Sequence, residues 1–291
     1  TVFYSDFSGF VKPAVAFDPN NNSGKFVIAY TDSPGQGTAI VGTQSGTSVS
    51  FGSSIVFNSG TNSTDHVAVA FDPNNIGKFV ISYRDAGNSY RGAAVACTIS
   101  GNSISVGPEA LFKTSWVSFP TVAFDPNNSG KFVVVYSPQD NQSRSTAVVG
   151  TVSGTSISFS SEFAFGGNSS SHNSVAFDPN TNGKFIVAYA AGGKGHARLG
   201  TISGTSVAWG TAGQFSAAVA GDMQVAYDPN NAGQFIVAYK TTYYGEVLVG
   251  TEDGTSISFA SSDRFNNAAS DFISVSFDPN NIGKFIVAYR D

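Results

Sequence analysis

Apolar residues in this chain come in short runs that recur in a fixed setting. FVIAY (26–30), FVISY (79–83), FVVVY (132–136), FIVAY (185–189), FIVAY (235–239) and FIVAY (285–289) each follow a variant of AFDPNN and a glycine. Runs this short, rich in Val, Ile, Phe and Tyr and bounded by Gly, Asn, Ser or Pro, predict strands. Stacked helices would need apolar positions every three to four residues, and no segment offers them. Each unit has four such pieces. In one example from each class, the first is SVAFDP (174–179), the second KFIVAY (184–189) and the third TAVVGTV (146–152); a tight SGTS turn leads to the fourth, SISF, with a continuation such as SSIVF (53–57).

The units form one tandem array. Asp18, Asp72, Asp125, Asp178, Asp228 and Asp278 stand 54, 53, 53, 50 and 50 residues apart, so nearly all 291 residues belong to the repeat. A period near 50 made of four short strands predicts propeller blades. The expected fold is all-β: a six-bladed β-propeller of four-stranded antiparallel blades in a single domain, 1–291, with five blades as the alternative. The turn has its own chemistry. Asp before Pro sets an extended-then-turn path, the Asp side chain accepts backbone hydrogen bonds two residues on, and Asn and Gly tolerate the left-handed conformation that closes the hairpin.

Aromatics recur in phase at Phe17, Phe71, Phe124, Phe177, Tyr227 and Phe277, and again at Phe26, Phe79, Phe132, Phe185, Phe235 and Phe285. Packed between neighbouring sheets, each contributes about 1.5–3 kcal/mol of burial. Phe3 stands 13 residues before Ala16 as Phe57 stands 13 before Ala70, so the N-terminus reads as the tail of a fourth strand. Joining Tyr289 through Asp291 to Thr1 through Phe3 leaves the closing blade 22 residues short of the 27 between Tyr30 and Phe57. An incomplete closing blade would offer unpaired backbone groups to a strand-adding partner.

Composition narrows the partners. Charged residues make up 12% of the chain and the formal net charge is −5, which excludes the clustered Lys and Arg that nucleic acid demands. The longest apolar runs are about a quarter of the roughly 20 residues needed to cross a bilayer, so no membrane span is expected. The single cysteine, Cys97, excludes an internal disulfide framework; it stands where other units have Gly150, Gly200 or Gly250 and reads as a small buried filler.

In an antiparallel meander the DPNNxG and SGTS turns share one end of the sheet, and the variable connections share the other. Specificity placed on a rigid scaffold belongs to those variable segments. They carry Arg84, Asp85, Asn88, Tyr90 and Arg91, then Lys194 and His196, then Tyr243 and Tyr244; a second set holds Asp65 with His66, Trp116, His172, Asp222, and Asp271 with Phe272. Exposed aromatics beside Asp, Asn and Arg suit a sugar, whose ring has an apolar face to stack and hydroxyls for paired hydrogen bonds. The candidate ligand-binding residues are therefore Arg84, Asp85, Tyr90, Arg91, Trp116, Tyr243 and Tyr244.

Other chemistry finds less support. The repeated aspartates could each offer oxygens to calcium, but Asp before Pro caps turns without metal, and no EF-hand spacing occurs. No metal or other cofactor is expected. There is no GxSxG, HExxH or CxxC, and His66, His172 and His196 lie in different segments, so an enzyme is not expected. Sequons at Asn21, Asn62, Asn127, Asn141 and Asn168 fit a secreted protein.

The unit AFDPNNSGKFVIAY followed by AVVGTVSGTSISF resembles tandem propeller repeats of marine invertebrates and microbes. In architecture it is similar to lectin propellers of the tachylectin and fungal fucose-lectin types. That resemblance implies a non-enzymatic extracellular module binding glycan, or another polymer or protein partner, at several sites. The low charge and open blade also resemble extracellular scaffold proteins, including those of sponge spicule filaments, which implies assembly into a matrix as the alternative.

Overall fold

The computed structural model describes residues 13–20, 23–60, 63–140, 143–167 and 170–291. Phe3 and the sequons at Asn21, Asn62, Asn141 and Asn168 lie outside the described residues, while Asn127 is exposed on its turn. Among the described residues there is no helix, so none long and apolar enough to cross a membrane, and every regular element is a strand.

Repeat one is an antiparallel sheet in chain order: Ala14–Phe17, Lys25–Thr31, Gly37–Ser45 and Ser48–Asn58. Repeat four (Ser170–Phe177, Lys184–Ala191, Lys194–Ser203, Ser206–Trp209) and repeat five (Gly221–Tyr227, Gln234–Lys240, Gly245–Asp253, Ser256–Phe259) follow the same order. Repeats two and three share the long strand Ala110–Phe124, whose first part pairs with Arg91–Ser100 and whose end continues into the first strand of repeat three. Repeat six is the hairpin of Asp271–Phe277 with Phe285–Arg290.

The contacts divide the chain into two compact units, the described residues of Thr1–Val134 with Gly150–Ser160, and those of Val135–Val149 with Ser161–Asp291. Each has its own core. Successive strand residues point to opposite faces, so the burial of Phe79 through Tyr83 in the first unit, and of Phe235 through Tyr239 in the second, means that both faces of the second strand are covered. Phe71 sits directly opposite Phe79, and Tyr227 opposite Phe235, with ring centroids 5.1 and 5.7 Å apart.

The glycines opposite these rings have a steric cause. Gly42 pairs with Phe26 and Gly250 with Phe235, and a Cβ at either would collide with the ring. In repeat two Cys97 takes this place opposite Phe79; it is buried, and burial pushes its thiol pKa well up, so it stays protonated.

The turn aspartates have a double role. Asp72 Oδ1 accepts the backbone N–H of Asn74 at 2.9 Å, as the sequence predicts, while Oδ2 accepts the backbone N–H of Gly130 in the next repeat at 2.8 Å. Asp18 reaches Gly77, and Asp228 reaches Gly283, in the same way. The Gly77 carbonyl in turn accepts the N–H of Ile99 near the SGTS-type turn, which places the two recurring turn types side by side.

One expectation is corrected. Arg84, Asp85, Arg91, Lys194, His196, Asp65, His66, Trp116, His172, Asp222, Asp271 and Phe272 are expected in connecting segments, yet all lie within strands; of these, His66, His172, Asp222 and Phe272, joined by Phe119, each stand six residues before a turn aspartate. Each of these five has a positive φ, between 38° and 54°, and the ladder shifts register around His66, His172, Asp222 and Phe272. This β-bulge turns the side chain out of the pleat. The left-handed backbone at a non-glycine residue costs about 1–3 kcal/mol, and five repeats retain it with His, Phe or Asp at the position.

Candidate functional site

The first unit gathers most of the candidate residues around Arg84. Arg84 ends the second strand of repeat two and stands opposite Asp65 across the ladder, so register alone brings the pair together. Its Nε and Nη2 donate to Asp65 Oδ1 and Oδ2, both at 2.5 Å. Nη1 donates to Ser118 Oγ at 3.2 Å and to the Val117 carbonyl at 3.4 Å, in the first strand of repeat three. The guanidinium is therefore largely spoken for, and its carboxylate partner keeps 38% of its side chain exposed.

Two aromatic pairs accompany this ion pair on the same strands and loop. Tyr90 stacks on Trp116 with centroids 4.8 Å apart and planes 25° from parallel, and the Arg84 guanidinium lies 5.2 Å from the Tyr90 centroid. Tyr90 is presented by a left-handed backbone at φ 58°, next to Ser89 in the same conformation. Trp116 stands opposite Arg91 in the ladder, and it and Tyr90 remain 47% and 40% exposed. His66 and Phe119, two of the left-handed residues and the chain neighbours of Asp65 and Ser118, meet edge to face at 5.0 Å.

Asp85 and Arg91 hold the loop. Asp85 is fully buried, and its carboxylate accepts from Arg91 Nε at 2.9 Å and from Asn88 Nδ2 at 2.7 Å. Arg91 also donates to Glu109, which accepts the Tyr83 hydroxyl at 2.8 Å. Burial, reinforced by Glu109, pushes the Tyr83 pKa well up, so this hydroxyl is a donor at any working pH. These contacts fix the backbone that carries Tyr90.

Tyr243 and Tyr244 belong to the second unit. Tyr243 is 68% exposed; Tyr244 lies 6.1 Å from it, and the guanidinium of Arg264 covers the Tyr244 ring at 3.3 Å. Their turn is closed by Thr241, whose Oγ1 accepts both tyrosine N–H groups.

Sequence reasoning missed the partners that make Arg84 and Arg91 part of a built surface, namely Ser118 and Glu109. One signal existed: Asp65 with Arg84 recurs in repeat six as Asp271 with Arg290, also opposite each other and 2.6 Å apart. Among the described residues no group of three or more His, Cys, Asp and Glu is placed to hold a metal ion.

No protein-family model and no curated protein sequence matches the chain. Solved structures do. A protein from Lactobacillus plantarum matches with a TM-score of 0.60 at 10% identity, over 97% of this chain and 76% of that one. AofleA from Arthrobotrys oligospora matches with a TM-score of 0.59 at 7% identity, over 90% of this chain and 74% of that one. Saccharomyces cerevisiae Sqt1 matches with a TM-score of 0.55 at 9% identity, over 85% of this chain and 61% of that one. Together with the repeated antiparallel sheets, these likenesses define the fold: the chain is a multi-bladed β-propeller.

Proposed function

We propose that this propeller is a non-catalytic extracellular module that binds glycans through the surface around Arg84. The observation that carries the reading is the stacked Tyr90 and Trp116 pair standing beside an ion-paired, half-exposed Asp65. Trp116 offers an apolar platform to a sugar ring, and Asp65, fixed in place by Arg84, offers acceptors to neighbouring hydroxyls. The loop beneath is braced by buried Asp85, so little ordering cost remains at binding. The non-catalytic part is supported by the ties of every nearby carboxylate: Asp65 to Arg84, and Asp85 and Glu109 to Arg91.

A glycan array run with the wild type and with Trp116→Ala tests the reading. The expected result is a defined set of bound glycans whose signal falls in the variant. An empty array, or a pattern that the variant leaves intact, overturns it.

A second reading, assembly into an extracellular scaffold, is favoured by the hairpin of repeat six. Ile286 is 69% exposed and Tyr289 41%, whereas the matching Ile236 and Tyr239 of repeat five are buried. Sedimentation across concentration tests it: ordered association supports the scaffold, and a monomer at every concentration and salt dismisses it.

A further inference from the structure

The repeat places a second set of residues at the positions that build the surface around Arg84. Arg84 directly follows Tyr83 at the end of its second strand, and Lys240 directly follows Tyr239 in repeat five. Seven residues before the next turn aspartate stands Ser118 in one case and Asp271 in the other; six before it stand Phe119 and Phe272. Tyr90 lies two residues before Gly92, against which Phe112 packs, and Tyr243 lies two before Gly245, against which Phe265 packs. Six residues before their own turn aspartates, His66 corresponds to Asp222.

One set of contacts repeats as well: the cation that ends the second strand reaches the first strand of the next repeat. Lys240 reaches across to the first strand of the next repeat, as Arg84 does, with Nζ 2.6 Å from Asp271 Oδ1 and 3.4 Å from Asp222 Oδ2. Asp271 also accepts from Arg290 at 2.6 Å, and the Arg290 guanidinium lies 4.4 Å from the Phe272 centroid. Phe272 and Asp222 have the left-handed backbone of Phe119 and His66. Asp271 and Lys240 keep about a third of their side chains exposed, and Tyr243 is the most exposed tyrosine of the site.

We infer that the second unit carries its own site for an uncharged, polyhydroxylated ligand, formed by Lys240, Asp271, Asp222, Phe272 and Tyr243, so that one chain binds two glycan units. The inference rests on the glycan reading of the first site. The ion-paired groups of this second site are matched two against two, Asp222 and Asp271 with Lys240 and Arg290, so that network has no net charge with which to select an anionic sugar. The sites are unequal. Ala269 stands where the first has Trp116, so the second lacks that stacking wall and binds roughly 2- to 10-fold more weakly.

The test is amide NMR of the full chain titrated with methyl α-mannopyranoside, methyl β-galactopyranoside and methyl α-fucopyranoside, each beside the corresponding uronate or acidic sugar. The expected result, for at least one neutral probe, is two saturating sets of shifts, around Trp116 and around Lys240, the latter weaker and both insensitive to salt. Tyr243→Ala, a surface change that leaves the fold intact, and Asp271→Asn should each remove the Lys240 set alone. Shifts confined to Trp116, or a Lys240 set that both variants leave unchanged, overturn the second site while the first stands. Tighter binding of the acidic sugars at Lys240 overturns the ligand class. No shifts with any probe overturn both sites.

Discussion

Asp72 Oδ2 accepts the backbone N–H of Gly130 at 2.8 Å, although 58 residues separate them. The same carboxylate caps its own turn through Asn74 and Asn75. A residue that reads in sequence as a turn former is thus also the stitch to the next repeat, and its burial raises the cost of losing that role.

Asp72→Asn should lower stability by about 1–3 kcal/mol, because the amide cannot accept from every donor that now faces the carboxylate. Among the described residues Asp278 has only the donors of its own turn, Asn280 and Asn281, and it is less buried than Asp72, so Asp278→Asn should cost clearly less. Denaturation midpoints of the two variants check this, and equal losses would remove the stitch from the explanation.

Repeat four has a gap in this scheme. Thr181 stands where repeats two and three have Asn75 and Asn128, whose side-chain amides donate to the turn aspartate, and Asp178 Oδ2 is buried with no partner among the described residues. Thr181→Asn should raise stability by about 0.5–1.5 kcal/mol by supplying the missing donor. Thr181→Ala should give no such gain, and an unchanged midpoint in the Asn variant would mean that Oδ2 is satisfied in another way.

Asp85 and Trp116 should separate stability from binding. Trp116→Ala, at a half-exposed position, should weaken glycan capture about 2- to 10-fold at the surface around Arg84 and shift the melting temperature little. Asp85→Asn leaves Arg91 and Asn88 with a poorer acceptor inside the protein and should lower the melting temperature by several degrees. Thermal melts of both variants, read beside their array signals, decide it; a stable Asp85→Asn protein would contradict the bracing role.

Hydrogen bonds from Lys240, then from Arg290, hold the Asp271 carboxyl at a pKa of about 2, against an ordinary 3.8. A carboxyl depressed in the folded state stabilises the fold above its unfolded value, and that contribution fades as pH falls from about 4 to about 2. The stability gap between wild type and Asp271→Asn should therefore be full near pH 5 and shrink towards pH 2. A gap independent of pH in urea melts over this window would rule out the ion pairs as its cause.

The hairpins were legible because each is marked locally: DPNNxG gives the turn, and glycine faces phenylalanine at a fixed offset. Arg84 with Asp65 was harder, since the pair meets only once the ladder register is known. The Asp72 link to Gly130 left no side-chain signal at all, because its donor is a backbone N–H. Nor did the left-handed positions, which carry His66, Phe119, His172, Asp222 and Phe272 where the conformation alone would favour glycine or asparagine. A traceable signal did exist for the buried contacts of Glu252 with Lys184 and Tyr227: Tyr227 replaces the usual phenylalanine in the same repeat that places Glu252 where others have Val152 or Ile202.

The most direct measurement is a fluorescence titration of Trp209→Phe, which leaves Trp116 as the sole tryptophan and gives repeat four the residue that repeats three and five carry at Phe159 and Phe259. With a glycan selected on the array, Trp116 emission should change saturably, and the change should vanish on adding Arg84→Ala or Asp65→Ala. Emission that stays flat while the glycan still binds would place the ligand elsewhere and contradict the assignment of this surface.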